Sequence, residues 1–200
     1  DHILAIQQNM VTTVEAASSC KDLAEYSFLN AFDFFQQDLL AKAAEKGRRD
    51  IVTMGHAFGV NMEKSFRILH PIAEISKQGD LEMLKLLHGK GLDISSRSKT
   101  ITENAALHGH LDMLKWMEIL DDSSIELDYT LVFEKAAEGG HLDIIQWGQD
   151  MAADAFQKEK NMDDAAFGGQ LELVKWFRTQ GTALDSTTLY NAALTGSFPL

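Results

Sequence analysis

The sequence repeats, and a repeat constrains a fold more tightly than composition does, because every copy must pack on its neighbours in the same way. A signature Ala-Ala-x-x-Gly stands at Ala43-Ala44 to Gly47, Ala105-Ala106 to Gly109, Ala136-Ala137 to Gly140, Ala165-Ala166 to Gly169 and Ala192-Ala193 to Gly196. A further copy, Ile75-Ser76 to Gly79, keeps only the glycine. The six glycines, at 47, 79, 109, 140, 169 and 196, follow one another at 32, 30, 31, 29 and 27 residues, a period near 30 that shortens along the chain.

What surrounds each glycine is also regular. The third residue after it is acidic in five copies (Asp50, Glu82, Asp112, Asp143, Glu172), which suits the positive end of a starting helix. Apolar residues recur at the second, fourth, fifth and seventh places after it, as in Leu111, Met113-Leu114 and Trp116, a helical stripe rather than the alternation of a strand. Before the glycine, Leu40, Ile72, Phe133, Met162 and Leu189 each precede the Ala-Ala position by three residues, and Thr102 is the exception. Each unit therefore reads as a short inner helix, a turn at glycine and an outer helix, with the alanines small so that neighbouring helices can approach. One such hairpin cannot bury its apolar face alone, so the units must stack into an all-α helical-repeat solenoid. Trp116, Trp147 and Trp176 share one offset, which predicts a ladder between adjacent outer helices.

Ala-Ala-x-x-Gly-His-Leu-Asp-x-Leu-Lys-Trp at Ala105 to Trp116 resembles the helix–turn–helix core of ankyrin repeats. In that family a further glycine closes the outer helix 12 residues after the turn glycine, and Gly59, Gly91 and Gly181 stand there, while Asp121 and Ala152 replace it in the other units. The Thr-Pro-Leu-His opening of a typical ankyrin inner helix is absent. From closing glycine to next turn glycine the family leaves 21 residues, whereas this chain leaves 20, 18 and 15. The shortening falls on the hairpin, so the β-fingers are expected to be shortened or missing. The array is expected over residues 38–200, five full units and a partial sixth. Residues 1–37, with Ala16-Ala17-Ser18-Ser19-Cys20 and an apolar face of Leu23, Phe28, Leu29, Phe32 and Phe35, read as an N-terminal helical cap or a decayed repeat. The chain opens at Asp1 without an initiator Met or a signal-like apolar run, as a trimmed or processed chain would, and stops at Leu200 where an outer helix should begin.

The chemistry is spare. With 30 acidic against 18 basic residues the formal charge is −12, which repels phosphate backbones and anionic lipid and leaves Lys46-Gly47-Arg48-Arg49 as the longest basic run. Neither nucleic acid nor a membrane is an expected partner, and no obligatory small molecule or cofactor is implied. A single cysteine, Cys20, fits a reducing compartment, and a cytoplasmic or intracellular location is expected, including delivery into a host cell. His108, His110 and His141 invite a metal, yet His110 and His141 recur at one repeat position and lack further ligands at metal spacing. They read as hydrogen-bonding imidazoles, local or to the next unit. No serine or cysteine lies in a nucleophile context, Gly139-Gly140 and Gly168-Gly169 are turns rather than phosphate loops, and the carboxylates are explained by helix starts. The chain reads as a non-enzyme.

Function then falls to surface. The resemblance implies that a protein or peptide partner, favoured by charge to be basic, meets the concave face formed by the inner helices and loop tips. The two variable places of Ala-Ala-x-x-Gly and residues beside them give Lys46, Gln78, Leu107, His108, Glu138, Phe167, Tyr190 and Leu194 as partner-binding candidates, with apolar Leu107, Phe167 and Leu194 as anchors. The alternative for those anchors is packing against adjacent loops. A non-catalytic interaction module, of the sort a pathogen effector uses, is the leading reading; an accessory domain of an enzyme whose catalytic part lies outside these residues is the other.

Overall fold

The fold is given by a computed structural model that describes residues 38–67, 70–120 and 127–196. The cap expected over 1–37, with Cys20, lies outside the described residues, as does the stub after Gly196. The described helices are α1 (38–45), α2 (Arg49–Ala57), α3 (Met62–Ser65), α4 (His70–Gln78), α5 (Leu81–Gly89), α6 (Ser98–Leu107), α7 (Leu111–Glu118), α8 (Tyr129–Gly139), α9 (Leu142–Met151), α10 (Lys158–Phe167), α11 (Leu171–Thr179) and α12 (Ser186–Leu194). Helices α1, α4, α6, α8, α10 and α12 are inner; α2, α5, α7, α9 and α11 are outer. The main contacts run from each inner helix of α4 through α12 to the next inner helix, and from inner helices α4, α6, α8 and α10 to their own outer helix. The fold is all-α, a stack of helical pairs, as the repeat predicts.

At Gly47, Gly79, Gly140 and Gly169 the inner helix ends on a defined pair of bonds. At Gly140, φ is 84°, a left-handed conformation that costs glycine nothing. It allows His141 N–H to reach Ala136 O at 2.8 Å and Gly140 N–H to reach Ala137 O at 3.2 Å, capping two carbonyls the helix leaves open. The same six-residue closure joins Arg48 to Ala43, Asp80 to Ile75, His110 to Ala105 and Gln170 to Ala165, so the first residue of each Ala-Ala pair is the acceptor that ends the helix. The outer helices close in the same way on Gly59, Gly91 and Gly181, through Val60 to Gly55, Leu92 to Leu87 and Thr182 to Phe177. Helix starts have their own caps: Asp80, Asp128 and Asp185 side chains accept from Met83, Leu131 and Thr188 N–H.

The buried set corrects the sequence reading in one respect. The fourth and fifth places after each turn glycine are buried in units two to five, but the next fully buried place is the eighth, occupied by Gly55, Leu87, Met117, Gly148 and Phe177. The second and seventh places are only half-buried in those units. The eighth place varies because it faces the inner helix: a Cβ on Gly55 would run into Leu40, and one on Gly148 into Phe133. At these two places the inner side chain fills the space a Cβ would take. The tryptophans are half-buried against this core at equivalent places. Among the described residues their ring partners are His88, Tyr129 and Phe177, not one another, so the expected ladder is one of position rather than of stacked indoles.

The hairpin fingers are replaced. Among the described residues there is no strand; the connections hold the short helix α3 and 3-10 turns at Ser95–Arg97 and Ala153–Ala155. Their anchors are Val60, Met62, Phe66, Leu92 and Ile94, all buried. Arg97, itself buried, bonds Glu63 Oε2 at 2.8 Å, Asp93 O at 2.6 Å and Phe66 O at 3.3 Å, tying one connection to the one before it. A buried guanidinium held by a carboxylate and two carbonyls has its charge compensated, and removing Glu63 would leave it carbonyl acceptors but no opposing charge.

Candidate functional site

The candidate surface is the row of inner-helix ends, and its backbone is fixed from below by a repeated bond between units. His110 Nε2 donates to Lys77 O at 2.8 Å, His141 Nε2 to Leu107 O at 3.0 Å and Gln170 Nε2 to Glu138 O at 3.2 Å. In each case the residue after one turn glycine satisfies the carbonyl two places before the preceding one. These imidazoles are inter-unit struts. The bond leaves no room over the preceding turn: a Cβ on Gly79, Gly109 or Gly140 would overlap the ring or amide of His110, His141 or Gln170. At the first joint the place is held instead by Asp80, which pairs with Arg49 across the units. His108 and His110 lie parallel with ring centroids 6.5 Å apart. Among the described residues no three His, Cys, Asp or Glu side chains converge on a metal position.

In the later units the backbones come closer still. A Cβ on Gly139 would collide with Leu107 O, and one on Gly168 with Glu138 O, so both positions require glycine because the next helix end rests on a neighbouring carbonyl. That is a structural reason for the Gly-Gly pairs, and it belongs to the inner layer alone.

On this base the candidate residues divide by place. Lys46 and Gln78 are exposed near the first units, the latter bonded to Glu74 at 2.9 Å. Leu107, His108 and Glu138 are half-buried; His108 Nδ1 lies 3.0 Å from Asn104 O and Glu138 takes Lys135 at 2.9 Å. Phe167, Tyr190 and Leu194 are 59%, 64% and 64% exposed. The fold sets Phe167 beside Leu194 and Tyr190 on the packed pair α10 and α12, which are pinned by Thr188 Oγ1 to Asp163 Oδ1, Asn191 Nδ2 to Asp163 O and Thr195 Oγ1 to Ala166 O. Leu107 stands apart, since Glu138 occupies the equivalent place in the unit between.

The charges next to the apolar group escaped the reading from the repeat, because they lie a turn earlier on the inner helices. Lys160 Nζ is 2.9 Å from Glu134 Oε2 and 3.9 Å from Asp164 Oδ2, and Lys135 bridges Glu134 at 3.2 Å and Glu138. Asp164 Oδ2 is buried with no hydrogen-bond partner. Burial is the main cause that pushes the Asp164 carboxyl up to about 6; Lys160 opposes it, and the charges of Glu134 and Asp163 add to it. Asp163 is raised as well, chiefly by burial, against the Thr188 hydroxyl. On the outer side a second apolar group, Ile119 and Met151, shares a shallow groove with Trp116 and Trp147. It carries charges of both signs, Lys85 and Lys115 with Asp112 and Glu118.

Stacked helical pairs, glycine-capped and packed chiefly neighbour on neighbour, define a helical-repeat protein of the solenoid class. Residues 69–118, which hold α4 to α7, match the family model for ankyrin repeats (many copies), and this match together with the helical hairpins on either side supports an ankyrin-repeat protein. No curated protein and no solved structure matches it. Ankyrin repeats are in general protein–protein interaction modules and typically non-catalytic. Among the described residues no helix is long and apolar enough to cross a membrane.

Proposed function

We propose that the chain is a non-catalytic module that binds a protein or peptide through the face formed by its inner helices. The observation that carries this reading is the exposure of Phe167, Tyr190 and Leu194 together on α10 and α12, where the repeat does not dictate the residue. Three large apolar side chains in water on a scaffold this tightly fixed are more than packing needs, and rigid apolar anchors with a polar surround are where binding energy concentrates. The geometry of the layers supports a concave shape for that face: inner helices touch one another while the outer helices are not among each other's main contacts, so the stack bends toward the inner side. Lys46, Gln78, Leu107, His108 and Glu138 extend the face toward the first units as a polar margin, with contacts that set fit rather than affinity.

The test is a pair of substitutions. Phe167→Asp with Leu194→Asp should keep the helical circular dichroism and the melting temperature of the parent and lose retention of the partner recovered by the parent chain. Undiminished partner retention by the folded variant would move the binding face elsewhere. As a control, Met151→Asp on the outer groove should leave retention unchanged.

A further inference from the structure

Resting on the reading above, we propose that the segment seated on Phe167, Tyr190 and Leu194 is a peptide carrying a lysine or arginine next to bulky apolar residues. The apolar side chains alone would accept any greasy segment; the charges beside them choose. Four carboxylates, Glu134, Glu138, Asp163 and Asp164, line this part of α8 and α10, and they face two ammonium groups, Lys135 and Lys160. Both lysines make their short bonds to Glu134 and Glu138, at 2.9 Å. The carboxylates left least compensated are therefore Asp163, which no lysine pairs, and Asp164, which has only Lys160 at 3.9 Å; both stand one helical turn before Phe167 on α10.

Nothing on the neighbouring helix offsets their charge. From Ser186 to Leu194, α12 has no basic residue; it offers the Asp163 carboxyl the Thr188 hydroxyl, and its cap Asp185 adds a further negative charge. A cation arriving over Asp163 and Asp164 would supply the compensation the fold omits, and a guanidinium there could also lie against the exposed Tyr190 ring. An acidic segment would meet repulsion at the same place, and a purely apolar one would leave the two carboxylates further desolvated. The raised Asp163 and Asp164 carboxyls agree with this: both sit where ionisation lacks support, and a bound cation would draw them down.

The experiment is selection of a random displayed peptide library on the folded 200-residue chain, followed by affinity measurements with the enriched peptides. Enriched peptides should join Lys or Arg to Phe, Trp, Tyr or Leu. They should bind the Asp163→Asn/Asp164→Asn chain about ten-fold more weakly, with the affinity for the parent falling as salt is added. Peptides that need Phe167 and Leu194 yet bind the Asn pair as well as the parent overturn the basic occupant and leave the interaction face standing. Peptides indifferent to Phe167→Asp/Leu194→Asp overturn the face and this inference with it, as does a selection that enriches nothing. If the Asn pair does not fold, salt dependence on the parent decides, and an affinity that is flat across salt overturns the proposal.

Discussion

Between inner helices the backbone itself forms much of the contact, through alanines, glycines and carbonyls that take a neighbour's side chain; between outer helices large side chains hold the backbones apart. At the inner joints a single added methyl meets a carbonyl oxygen, as at Gly139 and Gly168. On the outer side Trp116 and Trp147 are half-buried over a groove still open to water. The difference teaches where tolerance lies. The inner layer fixes spacing and so holds the row of inner-helix ends at a set pitch, whereas the outer layer only fills, and its residues are expected to be exchangeable with less effect on the rest.

The largest test of that contrast sets Phe133→Ala against Trp147→Ala. Phe133 is fully buried opposite Gly148, so its loss leaves a cavity and should cost about 3–5 kcal/mol. Trp147, larger but half-buried, should cost roughly half as much, about 2 kcal/mol. Urea unfolding of the two variants decides it, and equal losses would break the contrast. Next comes Gly168→Ala. Since the methyl would press on Glu138 O, helix α10 must shift, at a cost of about 2–3 kcal/mol, although alanine is the better helix former in the abstract. A neutral or stabilising result would mean the inner spacing is slack.

The smallest effect has the opposite sign. Because the folded-state pKa of Asp164 lies above its unfolded value, its protonated form is favoured by the fold; that contribution is complete in acid and is lost as pH rises through about 6. Asp164→Asn should therefore stabilise the chain at pH 7 by about 1 kcal/mol, after allowance for solvent screening, and the gain should vanish near pH 4. Thermal melts of parent and variant at the two pH values check both halves.

Much of this layout was legible in advance, and the parts that were not share a cause. The unit, its glycine turns and its acidic helix starts depend on residues within one copy, so Ala136, Ala137 and Gly140 announce a helix end without help from elsewhere. The role of His141 was readable as a hydrogen bond made locally or to the neighbouring unit, but only the stack shows that its acceptor is Leu107 O, 34 residues away. Gly148 could not be read as a core position because it carries no side chain, and its reason is Phe133 on another helix. Gly168 looked like a turn residue, whereas its reason is a carbonyl from the previous unit. Among the proposed binding residues, register alone put forward Phe167 and Leu194, whereas it gives no sign of Asp163 and Asp164, whose environment is made by α8 and α12 together.

One joint differs from the others in kind. Where units three, four and five hang on imidazole or amide hydrogens, units one and two meet through the Arg49–Asp80 ion pair, half in water. Dissolved electrolyte weakens that link, as it does the Lys160–Glu134 pair between α8 and α10, and leaves the neutral bonds of the other joints in place. In brine, then, the first joint would lose the bond that stands in for a strut, whereas the joints at His110, His141 and Gln170 would keep theirs.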